Sequence, residues 1–202
     1  EGRTDGYWYK QWKEYEEKGG SDYWLYNDRN YDLFAILADV RNGCRSAVGD
    51  TSDGFNPIAL PKGLPDDASD EVISDSEKWG EDGHSHSYLT LSELLNYNWD
   101  QVTTHRGWVS EVVYRAFKET GNPYPCATGV SGDSVVKVSN TEMDDIISGK
   151  LVREQGKRYY TQVEWTESYK DSVGRFYTEC IPELKELAES PDDVRIVFWF
   201  DN

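Results

Sequence analysis

The sequence predicts a single α+β domain over residues 1–202, a mixed or antiparallel sheet packed with several helices. Segments with apolar residues three and four apart are interspersed with segments of period two, so both element types are expected. The 202 residues suffice for one core of ordinary size. No internal repeat, low-complexity tract or linker divides them.

Residues 1–28 are aromatic, charged and interrupted by Gly19-Gly20. They suit a peripheral hairpin or arm, with Tyr7, Tyr9 and Trp12 facing Tyr23 and Leu25, although "KQWKEYEEK" also fits a helix. "NYDLFAILADVRNG" predicts a buried helix over 30–42. Asn30 is its cap, Asp32 lies in the first turn, and Leu33, Phe34, Ile36, Leu37 and Val40 form its stripe. Arg41 falls in its last turn and Gly43 stops it. Residues 43–68, dense in Gly, Pro, Asp and Ser, read as a long loop, followed by a short helix at 69–79.

"GEDGHSHSYL" reads as a loop ahead of a helix opened by the capping box Thr90 and Glu93. A further helix is predicted over 108–119, ended by Gly121 and Pro123. "DSVVKVS" reads as a strand and "NTEMDDIISG" as a short helix capped by Thr141. "RYYTQVEWTESY" alternates, with Tyr159, Thr161, Val163 and Trp165 on one face. A helix follows over 171–190, with Val173, Phe176, Ile181, Leu184 and Leu187 inward and Pro182 kinking or splitting it. "VRIVFWFDN" closes the chain as a hydrophobic strand expected at the centre of a sheet.

Composition constrains the function. With 21 Lys and Arg against 38 Asp and Glu, the net charge is −17. No basic run could track a phosphate backbone, so bulk nucleic acid is not an expected partner, and an anionic membrane would repel this surface. The acidity suits solubility, and an anionic ligand would need a few local arginines to overcome it. Hydrophobic residues make up only 37% while aromatic residues reach 14%, so the core must rest on rings. Cys44, Cys126 and Cys180 are scattered and odd in number, which argues against a disulfide framework or structural zinc and for reduced thiols in a cytosol. No apolar stretch is long enough to cross a bilayer, and no secretory signal is expected.

Candidate chemistry centres on His84-x-His86. In an extended segment residues two apart point the same way, so two imidazoles could share a metal, with Asp82 or His105 as further ligands. Without a supporting ligand scaffold the pair is equally a set of loop braces, or donors to a phosphate or ribose oxygen. No nucleophile elbow occurs, no cysteine has a neighbour that would activate it, and "GVSGDS" precedes a strand, the wrong order for a phosphate loop. Asp66-Asp67, held by a turn, is the best-placed acid pair, although solvated turn acids are the simpler reading in so acidic a chain. The cationic candidates are Arg29, Arg41, Arg45, Lys62 and Arg106; an Arg fork can grip phosphate at two points or pair with a local carboxylate such as Asp39.

Three segments, "RNYDLFAILADVRNG", "PIALPKGLPDDAS" and "DGHSHSYLTLSELL", together resemble an uncharacterised family of phage and bacterial proteins. Its members carry LFAxLADVRN, GLPxD and D-x-HSxSxLTLxEL in that order. The resemblance covers residues 29–99. It implies a setting, a phage protein acting in the host cytosol against defence, and so a sponge for a nucleotide immune signal such as a cyclic ADP-ribose variant or cyclic oligonucleotide. The expected pocket joins the three segments. Arg29 and Arg41 would meet phosphate, Tyr31 and Tyr88 would stack, and Asn42, Asp66, His84, Ser85, His86 and Ser87 would supply polar contacts. No catalytic residue, metal or cofactor is expected, and a homo-oligomer could share the pocket. Two alternatives stand beside it: a hydrolase or phosphodiesterase using His84 and His86, and an acidic inhibitor of a host protein.

Overall fold

The computed structural model of the chain describes residues 25–26, 28–43 and 49–201; the expected N-terminal hairpin or arm, Cys44 and Arg45 lie outside them. The architecture is α+β. In chain order the elements are α1 (Tyr31–Ala38), β1 (Thr51–Ser52), α2 (Asp70–Trp79), β2 (His84–Thr90), α3 (Leu91–Asn96), β3 (Val102–Ser110), α4 (Glu111–Thr120), β4 (Val135–Val138), α5 (Asn140–Ile147), β5 (Arg158–Ser168), α6 (Tyr169–Val173), α7 (Ile181–Leu187) and β6 (Arg195–Phe200). A mixed four-stranded sheet runs β1-β3-β5-β4, antiparallel except for the parallel β4–β5 pair; β2 and β6 form a separate antiparallel pair.

α1 follows its sequence closely. The Asn30 side chain accepts from the Leu33 amide at 2.9 Å and donates to the Ser172 carbonyl at 2.8 Å, so one residue starts α1 and ties it to α6. Leu33, Ala35, Ile36, Leu37 and Ala38 are buried. The helix stops at Ala38, earlier than expected, because Asp39 turns left-handed at φ 60° and returns its amide to Ala35 and Phe34. Arg41 and Gly43 therefore belong to the following turn. Asn42 donates to Asp39 and to the Phe55 carbonyl and accepts from the Phe55 amide, each at 2.7 Å, and so clamps this turn to the next loop.

Four further expectations need correction. β3 occupies residues expected to begin a helix, and α4 starts only at Glu111. α5 is capped by Ser139, whose box partner is Glu142, rather than by Thr141. The C-terminal helix divides at Gly174, and its second part widens into a π turn over Phe176–Cys180 immediately ahead of Pro182, which lies inside continuous helical backbone where a proline removes a hydrogen bond. Among the described residues β6 pairs with β2 on one side, where a central strand was expected.

Two apolar cores result. The larger gathers α1, α3, α6, α7, β2 and β6; the smaller places Val109, Tyr114, Met143 and Val163 between the sheet and α4 and α5. Between them one face of the sheet carries Thr103, His105, Gly107 and Val109 of β3 opposite Glu167, Trp165, Val163 and Thr161 of β5. That face runs from apolar at the smaller core to polar against the larger one.

Candidate functional site

The polar end of this face is a buried acid–histidine cluster. β3 places His105 opposite Ser52 of β1 and Trp165 of β5. Its ring stacks on Trp165 at 5.5 Å and 14°, and Phe55 meets it edge-on at 6.2 Å. Asp50, just ahead of β1, accepts from Nδ1 at 2.6 Å, with both side chains only 1% exposed. Nε2 faces Glu167 of β5 at 3.6 Å and, though buried, has no hydrogen-bond partner.

Charges crowd this layer. Burial pushes the Asp32 carboxyl up to about 6, and the neighbouring acids Asp50 and Glu167 add to the effect against the pull of His105. Burial raises Glu167 as well. For His105 burial disfavours the charged form, but the hydrogen bond to Asp50 and the charges of Asp50, Asp32 and Glu167 outweigh it, so the ring holds its proton above the usual range. The Cys126 thiol, held up at about 11 by burial and by Asp50, is not a nucleophile here.

Above the cluster lies a cavity of about 350 Å³ between the N-terminus of α1 and α6. Asp32 and Glu167 line it together with Tyr124, whose hydroxyl burial and the nearby carboxylates keep protonated. Tyr26, Arg29, Tyr31 and Arg175 also line it, as do Asp28 and Asp171. Arg175 lies over the Tyr26 ring at 5.5 Å, and its Nη1 is buried without a hydrogen-bond partner, 3.8 Å from Asp28. Arg29 lies 5.5 Å and Arg41 4.7 Å from the centre of the Tyr31 ring.

Of the residues expected at a site, Arg29 and Tyr31 line this cavity, and Arg41 joins them through the Tyr31 ring. Asn42 serves the turn clamp described above. The second and third segments do meet: Lys62 donates its amide to Ser87 Oγ at 3.2 Å and Gly63 to the His86 carbonyl at 2.8 Å. Tyr88 lies under Lys62 at 5.0 Å and Arg195 at 5.8 Å, and Arg195 also pairs with Asp67 beside the exposed Asp66. This meeting lies apart from the cavity, which none of Asn42, Asp66 or residues 84–88 lines.

His84 and His86 sit in a strand, not a loop. Ser85 adopts φ 54° and the register shifts between His84 and Ser87, so the pair loses its common direction. His84 packs near Phe200, whereas His86 stacks on Trp199 at 5.6 Å and bonds Ser76 at 2.8 Å. Phe200 and Trp199 are successive residues of β6 and point to opposite faces, so the two imidazoles pack against different rings, although the charge of His84 still reaches His86. Burial lowers the pKa of His86. Among the described residues no cluster of three or more His, Cys, Asp or Glu side chains is arranged to hold a metal ion.

Sequence reasoning had noticed His105 only as a distant ligand and had missed Asp50 and Glu167. The available signal was a strand whose inward positions are Thr103, His105 and Gly107, an alternation with its polar face buried.

Fold and site together define an α+β chain with a cavity of about 350 Å³ whose wall includes Asp32 and Glu167 of a buried carboxyl–imidazole cluster. No family model matches the chain, and no curated protein or solved structure is significantly similar to it. No helix among the described residues is long and apolar enough to cross a membrane.

Proposed function

We propose that the chain captures a small phosphorylated, base-bearing molecule in the cavity between α1 and α6 and so withdraws a nucleotide-derived signal from its receptors. The observation that carries this reading is Arg175, which lines the cavity and whose buried Nη1 finds among the described residues no hydrogen-bond acceptor, only Asp28 at 3.8 Å. Such a donor is costly to leave unpaired, and an anionic oxygen satisfies it. Arg29 offers a second guanidinium at the same wall, and Tyr26, Tyr31 and Tyr124 offer ring faces for a base. Asp32, Glu167 and Asp171 offer acceptors for ribose hydroxyls or an exocyclic amine. The cavity is within the range of small-ligand sites, roughly 300–1,000 Å³. The three-segment resemblance supplies the setting of phage anti-defence, and Arg29 and Tyr31 belong to its first segment.

Calorimetry against cyclic ADP-ribose isomers and cyclic di- and trinucleotides tests this. Saturable binding to at least one compound is expected, weakened at least tenfold by Arg175→Ala and by Arg29→Ala. Silence across the panel, or full affinity in both variants, would overturn it.

A further inference from the structure

We propose that the cavity also cleaves its ligand, hydrolysing the N-glycosidic bond of a ribosyl phosphate with Asp32 and Glu167 as the catalytic carboxyl pair and His105–Asp50 as the pair that positions Glu167. The proposal rests on the binding reading above and goes beyond it.

The sign of the charge around the cavity distinguishes the reaction. Phosphoryl transfer spreads negative charge over phosphate oxygens, and a floor made of Asp32 and Glu167 would oppose it. Departure of a base from a ribose builds positive charge at the anomeric carbon, which carboxylates stabilise. The guanidiniums of Arg29 and Arg175, also in the cavity wall, suit a phosphate held away from the reacting carbon.

Behind the floor, His105 gives a second and independent indication. The side chain is 1% exposed, Nδ1 is committed to Asp50, and Nε2 is unpartnered and directed at Glu167. A chain Asp50–His105–Glu167 thus runs from the interior to the cavity wall and ends on a carboxyl group, the orienter–base–effector order of acid–base centres. The two wall carboxyls differ in their surroundings. Burial raises both carboxyls, but only Glu167 has the imidazole within 3.6 Å, whereas Asp32 lies in the first turn of α1. Different environments divide acid from base.

The step balances with water as the only co-reactant. Asp32 gives its proton to the departing ring nitrogen, which takes the electron pair of the broken C–N bond. The water oxygen bonds the anomeric carbon and passes its proton to Glu167. Proton return from Glu167 to Asp32 through solvent restores the site, leaving free base and a ribose hydroxyl.

The test incubates the full chain with AMP, NAD and cyclic ADP-ribose in ¹⁸O-water and follows products by chromatography and mass spectrometry, beside calorimetry on the same compounds. The expected result is released base, or ring opening of cyclic ADP-ribose, with the label on the anomeric oxygen. Glu167→Gln is expected to lower turnover at least a hundredfold, a larger loss than any it causes in binding. Asp50→Asn is expected to shift the pH profile and lower kcat with KM unchanged, which a merely structural role would not do. Binding without any product overturns cleavage and leaves capture standing; neither binding nor product overturns both. Products cut at phosphate with the base still attached also overturn the assignment. These readouts on the unaltered chain hold even if a variant fails to fold.

Discussion

Asp32→Asn tests the acid–histidine cluster most directly, because its effect on stability has a calculable size and sign. The folded chain raises the Asp32 carboxyl from 3.8 to about 6. Below about pH 4 the group is protonated in both the folded and the unfolded chain and contributes nothing. Between the two values the folded chain holds the proton more tightly, so stability falls as pH rises. Above about 6 the full penalty applies, two units at ~1.36 kcal/mol each, or at most ~3 kcal/mol. Asparagine has the same shape and no charge, so it removes that penalty. The attraction of His105 is already contained in this net value, so the expected gain is ~1–3 kcal/mol. Urea denaturation of both proteins at pH 4 and pH 7.5 gives the double difference, in which shape effects independent of pH cancel. At ~2–4 °C per kcal/mol for a chain of this size, the variant should also melt several degrees higher at pH 7.5. A stability difference that does not change with pH, or a variant that is the weaker one at pH 7.5, would refute the burial argument.

Other positions give simpler expectations. Asn42→Ala removes both bonds to Phe55 and the bond to Asp39; a loss of ~1–3 kcal/mol in urea is expected, and a neutral result would remove the clamp from the argument. Thr90→Ala breaks the capping box that turns β2 into α3, at a cost of ~1 kcal/mol by the same measurement. A methyl group at Gly107 would meet the Cys126 side chain at 2.8 Å from Cβ and 2.9 Å from Sγ, so Gly107→Ala should destabilise by ~1–3 kcal/mol, with wild-type stability counting against the packing of β3. Protonation of His86, whose pKa burial lowers, should cost stability as pH falls through about 6.5, the ordinary value. The Trp199 environment of the folded wild type, read by fluorescence, should change at lower pH, where the folded-state ring takes its proton, and not in His86→Gln.

Elements whose apolar pattern and caps agree were legible in the sequence. α1, α3 and β5 start where their patterns put them, because Asn30 and Thr90 offer side-chain oxygens to the first orphan amides ahead of apolar stripes, while α2, which buries no residue, rests on its Ser69 cap. β3 was missed because its pattern is inverted. Thr103, His105 and Gly107 face inward while Trp108 is only partly covered and Val102 is 65% exposed, so a search for an apolar face finds the wrong side. β6 reads differently: "RIVFWF" is apolar after Arg195, as a central strand would be, and it covers the larger core with β2 as its one strand partner among the described residues. His84-x-His86 drew notice because its two histidines are adjacent in sequence, whereas His105, Asp50 and Glu167 come from three separate segments that only the β1–β3–β5 pairing unites.

Those facts bear on why the polar layer exists. Two apolar cores meet at His105, and a hydrophobic side chain between Phe55 and Trp165 would have joined them. The fold instead buries an imidazole beside Asp50, Glu167 and Asp32, and replacing such a group with apolar residues is often neutral or stabilising. A purely structural layer would satisfy its own donors, as Asn42 does. This one leaves Nε2 of His105 and Nη1 of Arg175 without acceptors, one behind a cavity wall and the other in it. Buried charges that weaken the empty fold beside a cavity are characteristic of a site kept for a ligand. The two explanations therefore predict opposite signs. If the layer serves the fold, neutralising Asp32 weakens the protein and leaves ligand affinity alone; if it serves the cavity, the empty protein gains stability and the filled one loses its chemistry.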